Sequence, residues 1–218
     1  MQDIKARLDS AAARTNTPEF IASDPVQFPR RYSRVADAEL ACFLAALIAW
    51  GRRDIILRSA RRMFGAMGES PYDYIMSGGW KKLGSACVHR TFFETDLAYV
   101  CRGLRACLRK YASLEKLFAG AGDMFNGIAL FRKTLARGNS GKYSKHIADP
   151  DRNSACKRMN LALRWLVRRD GIVDLGLWKS ISPARLYIPL DVHVARTARL
   201  LGLLDRKSND RKAVEILT

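Results

Sequence analysis

The sequence lacks three features that would each point to a particular class of protein. Its longest apolar run, residues 40–50, falls well short of the roughly 20 residues that a membrane helix needs. Its first residues, MQDIKARLDS, contain no hydrophobic signal segment. Its five cysteines are odd in number and form no CxxC pair, which argues against a disulfide framework and against a cysteine-built zinc or iron–sulfur site. We therefore expect a cytoplasmic protein with free thiols and no bound metal.

Acidic residues are also scarce. The 218 residues include 38 Lys and Arg against 21 Asp and Glu, a formal net charge of +17 with the three histidines neutral. The first fifty residues carry six basic and six acidic side chains, so the excess lies entirely downstream. With 48% hydrophobic residues the chain can bury a core, so this is not the charge of a disordered tail. A folded basic surface suits nucleic acid best, although an acidic membrane surface or an acidic protein remains open.

The hydrophobic periodicity is helical almost throughout, with no sustained alternating pattern and no internal repeat, so we predict an all-α fold. The polar loop 137–154 is the best boundary between two helical lobes, about 33–138 and 150–218, with the N-terminal segment packing on the second lobe. The predicted helices cover 37–51, 54–67, 96–118, 124–135, 155–169 and 191–203, followed by a short one capped by Ser208 or Asn209.

One basic helix deserves two interpretations. Lys157, Arg164 and Arg168 return to nearly the same angle at 100° per residue, opposite an apolar face. Such a stripe is most simply a solvated face. Cationic neighbours and burial, however, both favour the neutral form of a lysine, and a neutral amine is a nucleophile. Lys157, with Arg158 beside it, meets the first of these conditions.

A carboxylate stands at the start of the next long helix. Pro189 fixes the approach and Asp191 takes the N-cap position, where its oxygen can accept free backbone N–H groups. Capping alone explains the residue. Alternatively, the carboxylate lies at the mouth of a groove and stabilises developing positive charge or orients a water. His193 is either a surface or capping residue or a substrate contact.

Taken together, these two segments resemble the helix-hairpin-helix DNA glycosylase superfamily. The resemblance is carried by Lys157 and a basic residue seven positions on, by the segment IPLDVHVAR followed by LLGLL, and by the separation of Lys157 from Asp191. The branch that looks closest is the archaeal-type 8-oxoguanine DNA glycosylases. Over most of residues 24–218 the chain is also similar to an uncharacterised bacterial domain-of-unknown-function family related to them. That family continues beyond Thr218, so a further closing helix is expected there.

The resemblance implies a two-lobed helical bundle of the DNA glycosylase type. Its glycine-rich hairpin is modified or absent, because Gly171 and Gly176 do not reproduce the usual LPGVG pattern. It also implies a monomer that needs no cofactor, acts in the nucleoid and binds duplex DNA containing a damaged base.

The implied activity is that of a bifunctional glycosylase and abasic-site lyase. Lys157 would form a Schiff base with the deoxyribose C1′ of an oxidised purine, most plausibly 8-oxoguanine, and the strand would then be cut by β-elimination. Asp191 would stabilise the oxocarbenium-like sugar and assist proton transfers. In more widespread branches the lysine lies within the hairpin, which makes Lys179 the second candidate for the nucleophile.

The rival interpretation is a non-catalytic nucleic-acid-binding protein on the same scaffold, in which Lys157 only contacts a phosphate. An acidic-protein adaptor has only the net charge behind it.

Excision also needs a pocket for an extruded base and cations for the phosphates. The aromatic candidates can equally be core residues. The candidates for the pocket are Trp50, Trp165, Asp174, Trp178 and His193, with Tyr187 as a further stacking residue; those for phosphate are Arg52, Arg53, Arg158, Arg164, Arg168 and Arg196.

Overall fold

The structure, a computed structural model, describes residues 2–218 and is mostly helical, which confirms the all-α prediction. Two short strands, β1 and β2, pair antiparallel in a segment that lies outside the predicted helices. Short 3₁₀ turns connect several helices. The helices are α1 (Gln2–Thr15), α2 (Pro18–Ser23), α3 (Val35–Leu47), α4 (Arg53–Met67), α5 (Pro71–Ser77), α6 (Glu94–Tyr111), α7 (Leu114–Ala119), α8 (Met124–Arg137), α9 (Lys157–Val167), α10 (Val192–Leu200) and α11 (Arg211–Leu217); the strands are β1 (Cys87–His89) and β2 (Phe92–Phe93).

Helix α3 is the centre of the core. It is buried from Asp37 to its end, as its many alanine and leucine residues predict. It packs against α5 on one side and α9 on the other. The Asp37 carboxylate, buried within it, accepts hydrogen bonds from the Ser70 hydroxyl at 2.7 Å and the Tyr72 N–H at 2.8 Å. An acidic side chain of α3 therefore anchors α5.

A second buried acid corrects one predicted helix. Residues 96–118 form two helices, because the backbone turns at Ala112 (φ +66°) and α7 begins afresh two residues later. The Glu39 carboxylate accepts the N–H groups of Leu114 and Glu115, at 3.1 and 2.9 Å. Burial raises the pKa of Glu39, and these hydrogen bonds oppose the shift. The break is thus stabilised by a residue far away in sequence, together with the local N-cap Ser113, whose hydroxyl accepts the Lys116 N–H at 3.1 Å.

Other helix ends also differ from the predicted ones. Helix α3 stops at Leu47 and α10 stops at Leu200, each three or more residues early. The N-cap of α11 is Asp210, whose carboxylate accepts the Ala213 N–H at 3.0 Å, so neither Ser208 nor Asn209 caps it. The capping residue is the one whose side chain reaches the free N–H groups, and here several neighbouring polar residues could each have served as the cap.

The residues before and after the polar loop 137–154 share one continuous core. Helix α3 contacts α9, and α1 borders a groove together with Thr197 and Leu201 near the end of α10.

The five cysteine thiols are free, and four of them are buried. None of the helices among the described residues has the length and apolar content that a bilayer crossing requires.

Candidate active site

A cavity of about 730 Å³ opens where α9 and α10 begin, opposite the turn that leads into α4. Its size lies within the roughly 300–1,000 Å³ of small-molecule sites. Its wall combines two tryptophans with several charged groups. The lining residues are Asp24, Pro25, Ala49, Trp50, Gly51, Arg53, Ile56, Lys157, Leu161, Trp165, Leu190, Asp191, Val192, His193 and Asn209.

The structure brings Lys157 and Asp191 together on this wall. Lys157 is the first residue of α9 and Asp191 is the N-cap of α10, so each side chain projects from a helix start. The Lys157 Nζ lies 3.2 Å from the Asp191 Oδ2. The side chains are 37% and 26% exposed, which leaves both groups accessible from the cavity.

Asp191 caps α10 and holds the lysine at the same time. Its Oδ1 accepts the N–H groups of His193 and Val194, at 3.0 and 2.9 Å, while its Oδ2 faces Lys157. Burial raises the pKa of Asp191, but the hydrogen bonds from Val194 and Lys157 outweigh burial and hold that pKa below its usual value. The capping and site interpretations are therefore compatible, because they use different oxygens.

The arginines of the predicted cationic stripe beside Lys157 are partly exposed and pair with acidic side chains of the protein. Arg164 Nε donates to the Asp174 carboxylate at 3.0 Å, and Arg168 Nε donates to the same oxygen. Arg158 donates to the backbone carbonyls of Leu47 and His146. Arg158, Arg164 and Arg168 therefore already have partners within the protein, and their role as phosphate ligands stays a prediction. The side chain paired with Lys157 is an anion.

Two of the predicted pocket residues are wrong. Asp174 is buried beneath Arg164 and Arg168, and Trp178 is fully buried with its indole N–H donating to Glu39 at 2.8 Å. Neither belongs to the described cavity wall. Tyr187 packs on Phe125 instead, with ring centroids 4.5 Å apart. The segment between α9 and α10 that carries them has no α-helix among its described residues.

Trp50, Trp165 and His193 do line the cavity. Trp165 is buried and contributes an edge, whereas Trp50 is half-buried. The Arg158 guanidinium lies over the Trp50 ring, 4.8 Å from its centroid, and the His146 ring is stacked at 6.2 Å. The conformation of Trp50 is therefore fixed by its neighbours Arg158 and His146.

Of the predicted phosphate ligands, Arg52, Arg53 and Arg196 are exposed. Arg53 lines the cavity, and its guanidinium lies 5.6 Å from the Phe20 ring centroid. Arg52 pairs with the exposed Asp54, an interaction that contributes little in water. Lys179 points elsewhere, because its ammonium donates to the Gly176 carbonyl at 2.7 Å.

Sequence reasoning missed Asp24, Leu161 and Asn209. Asp24 follows α2 and opens a 3₁₀ turn, where its Oδ1 accepts the Val26 N–H at 3.0 Å. The Asp-Pro pair at 24–25 is the local signal that could have drawn attention to it, since Asp before Pro commonly starts such a turn. Its place beside α9, more than a hundred residues away, has no local signal.

Among residues 2–218, no group of three or more His, Cys, Asp and Glu side chains is arranged to hold a metal ion. In comparison with known proteins, residues 24–218 match the model of a family described as "Protein of unknown function (DUF2400)". No curated protein matches the chain, and no solved structure matches it.

Proposed function

The chain belongs to the DUF2400 family, and we propose that it is a DNA glycosylase and abasic-site lyase that removes an oxidised purine, 8-oxoguanine above all. The observation that carries the proposal is the contact of the Lys157 amine with the Asp191 carboxylate, 3.2 Å apart on the wall of an open cavity. A lysine and a carboxylate on one cavity wall are the groups that Schiff-base chemistry at a sugar carbon requires.

The chemical steps follow from this pair. Lys157 passes a proton to Asp191 Oδ2, and the free amine attacks C1′ of the deoxyribose. The bond from C1′ to the base breaks, and its electron pair leaves with the base. The sugar ring opens as the lysine nitrogen and C1′ form a Schiff base. Water takes a proton from C2′, the C3′–O bond breaks with its electron pair going to the 3′-phosphate, and a second water hydrolyses the Schiff base and releases the lysine from the cut strand. Apart from a proton for the departing base, these steps use only the amine, the carboxylate and water.

The cavity wall suits an extruded base. The half-buried Trp50 offers aromatic surface, and base–aromatic stacking contributes about 1–3 kcal/mol. Trp50 is held by Arg158 and His146, so stacking on it orders no further side chain. A nucleobase flipped from the duplex would enter with its sugar beside Lys157.

The charge distribution supports a polyanionic partner. Arg52, Arg53 and Arg196 are exposed, Arg53 lines the cavity itself, and the whole chain has a charge of +17. Phosphate contacts from such groups are strong at low salt and weaken steeply as salt rises. The proposed partner is duplex DNA with a damaged base, bound by a monomer at the nucleoid, and the proposed architecture is the two-lobed glycosylase bundle without a glycine-rich hairpin.

Borohydride trapping tests the function directly. The wild-type protein, incubated with a duplex carrying an abasic site or 8-oxoguanine and reduced with borohydride, is expected to become covalently linked to the DNA, because reduction converts a Schiff base to a stable amine. Denaturing electrophoresis detects the adduct and the cut strand. If neither appears on any lesion while DNA binding is intact, the protein is instead a nucleic-acid-binding protein on a glycosylase-like scaffold.

Asp191→Asn is expected to slow base excision by roughly 10²–10⁴-fold, since the amide can no longer accept the Lys157 proton. DNA binding, measured by fluorescence anisotropy, should remain close to that of the wild type. Asp191→Ser is the companion variant, because serine still caps α10 but has no carboxylate. A serine variant that excises at the wild-type rate would show that the residue is only a cap.

A further inference from the structure

A second carboxyl group lies on the wall of the same cavity. Asp24 lines it together with Lys157 and Asp191, although it comes from the turn after α2. Its Oδ1 is occupied by the Val26 N–H. The steps above leave one demand unmet by Lys157 and Asp191 acting on the sugar, namely a proton for the departing base.

Comparison with a second Asp-Pro turn shows what is unusual at Asp24. Asp149 opens a 3₁₀ turn in the same way, with its Oδ1 accepting the Asp151 N–H at 3.1 Å. The other oxygen of Asp149 is paired with Arg132 at 3.1 Å. Within residues 2–218 the Oδ2 of Asp24 has neither a hydrogen bond nor an ion pair, so capping accounts for one of its oxygens and leaves the other for a ligand in the cavity.

The pKa values of the two carboxyl groups of the cavity shift in opposite directions. Burial raises the pKa of Asp24, against the smaller effects of the Val26 N–H and the Arg53 charge. The pKa of Asp191 is lowered by its hydrogen bonds, as described above. Paired carboxyl groups whose environments drive their pKa values apart are the usual basis for one acid and one base in a single site.

We propose that Asp24 is the acid that protonates the base as it leaves. This rests on the proposed glycosylase function. As the bond from C1′ to the base breaks, the base nitrogen takes the electron pair, and the Asp24 carboxyl transfers its proton to the base. The resulting carboxylate regains a proton from water after the base departs. Asp191 remains responsible for the proton of Lys157.

Because an abasic site has no base to release, the proposal separates two activities. Asp24→Ser, which keeps a capping oxygen for the Val26 N–H, is expected to slow single-turnover excision of 8-oxoguanine by at least about 100-fold at saturating protein. The same variant should trap and cut an abasic-site duplex at the wild-type rate. Asp24→Asn, which keeps the shape of the side chain, should behave alike. Asp149→Ser, the matched change at the other Asp-Pro turn, should leave both activities intact.

Three results would overturn the role of Asp24: excision by Asp24→Ser at the wild-type rate, a loss that disappears at saturating protein, or an equal loss on the abasic duplex. A wild-type protein that cuts abasic sites but excises no 8-oxoguanine would also overturn it, while the chemistry of Lys157 would stand. Absence of both wild-type activities would instead be the failure of the proposed function.

Discussion

Lys157→Ala is expected to abolish the borohydride adduct and to reduce strand cleavage at an abasic site by roughly 10⁴-fold or more, the scale on which loss of a covalent nucleophile acts. The reason is that the Lys157 amine is the one the structure places on the cavity wall beside a carboxylate. The measurement is denaturing electrophoresis of the reduced reaction, together with the single-turnover rate of cleavage.

Lys157→Arg is the sharper variant. Arginine keeps the positive charge that faces Asp191 and can keep a phosphate contact, but it has no primary amine to form a Schiff base. If Lys157 only contacts phosphate, this variant should retain all activity. If Lys157 is the nucleophile, the variant should bind DNA and trap none of it.

Lys179→Ala is the matched control, since Lys179 is the other lysine in the region expected to hold the nucleophile. Its ammonium donates to the Gly176 carbonyl, and we expect this variant to trap DNA as the wild type does. An adduct that survives Lys157→Ala but vanishes in Lys179→Ala would overturn the assignment.

Asp174→Asn is expected to destabilise the protein by about 3 kcal/mol, because it leaves two guanidinium groups without their shared carboxylate. Asp174 is fully buried, whereas the side chains of Arg164 and Arg168 are 33% and 41% exposed. Their access to water places the loss at the low end of the range for a broken buried ion pair. For a chain of this size the midpoint of thermal unfolding should fall by about 10 °C.

Asp9→Asn is the control for this prediction. Asp9 forms an exposed ion pair with Lys5 at 2.6 Å, and such a pair contributes little to stability in water. Differential scanning calorimetry on both variants gives the comparison. Equal midpoints for the two variants would show that the Asp174 cluster is as weak as a surface pair.

The sequence was informative wherever a local pattern decides the structure. The apolar run of α3, the amphipathic pattern of α9 and the aspartate before α10 are each contained within one helix, and periodicity and cap preference act at that range. The same local patterns were misleading at residues 96–118, where the hydrophobic period continues through a break that the distant Glu39 stabilises.

The partners of the basic side chains show most clearly what a sequence does not determine. Lys157, Arg164 and Arg168 lie at nearly the same helical angle, on one face. Yet Lys157 lines an open cavity, whereas the two arginines pair with a buried carboxylate. Helical angle determines which residues share a face, whereas the partner of each is set by the segment that packs there. Here that segment is the irregular chain after α9.

By itself the sequence determined that this is a helical, strongly basic protein, that Lys157 lies in an amphipathic helix, and that Asp191 begins α10. Composition and local periodicity suffice for that, because a helix is built from contacts within a few residues. Only the tertiary structure decided that Lys157 and Asp191 meet, that Trp178 and Asp174 are buried away from them, and that Asp24 joins the cavity. Those outcomes depend on how distant helices pack, since packing decides which side chains are covered and which face a shared space.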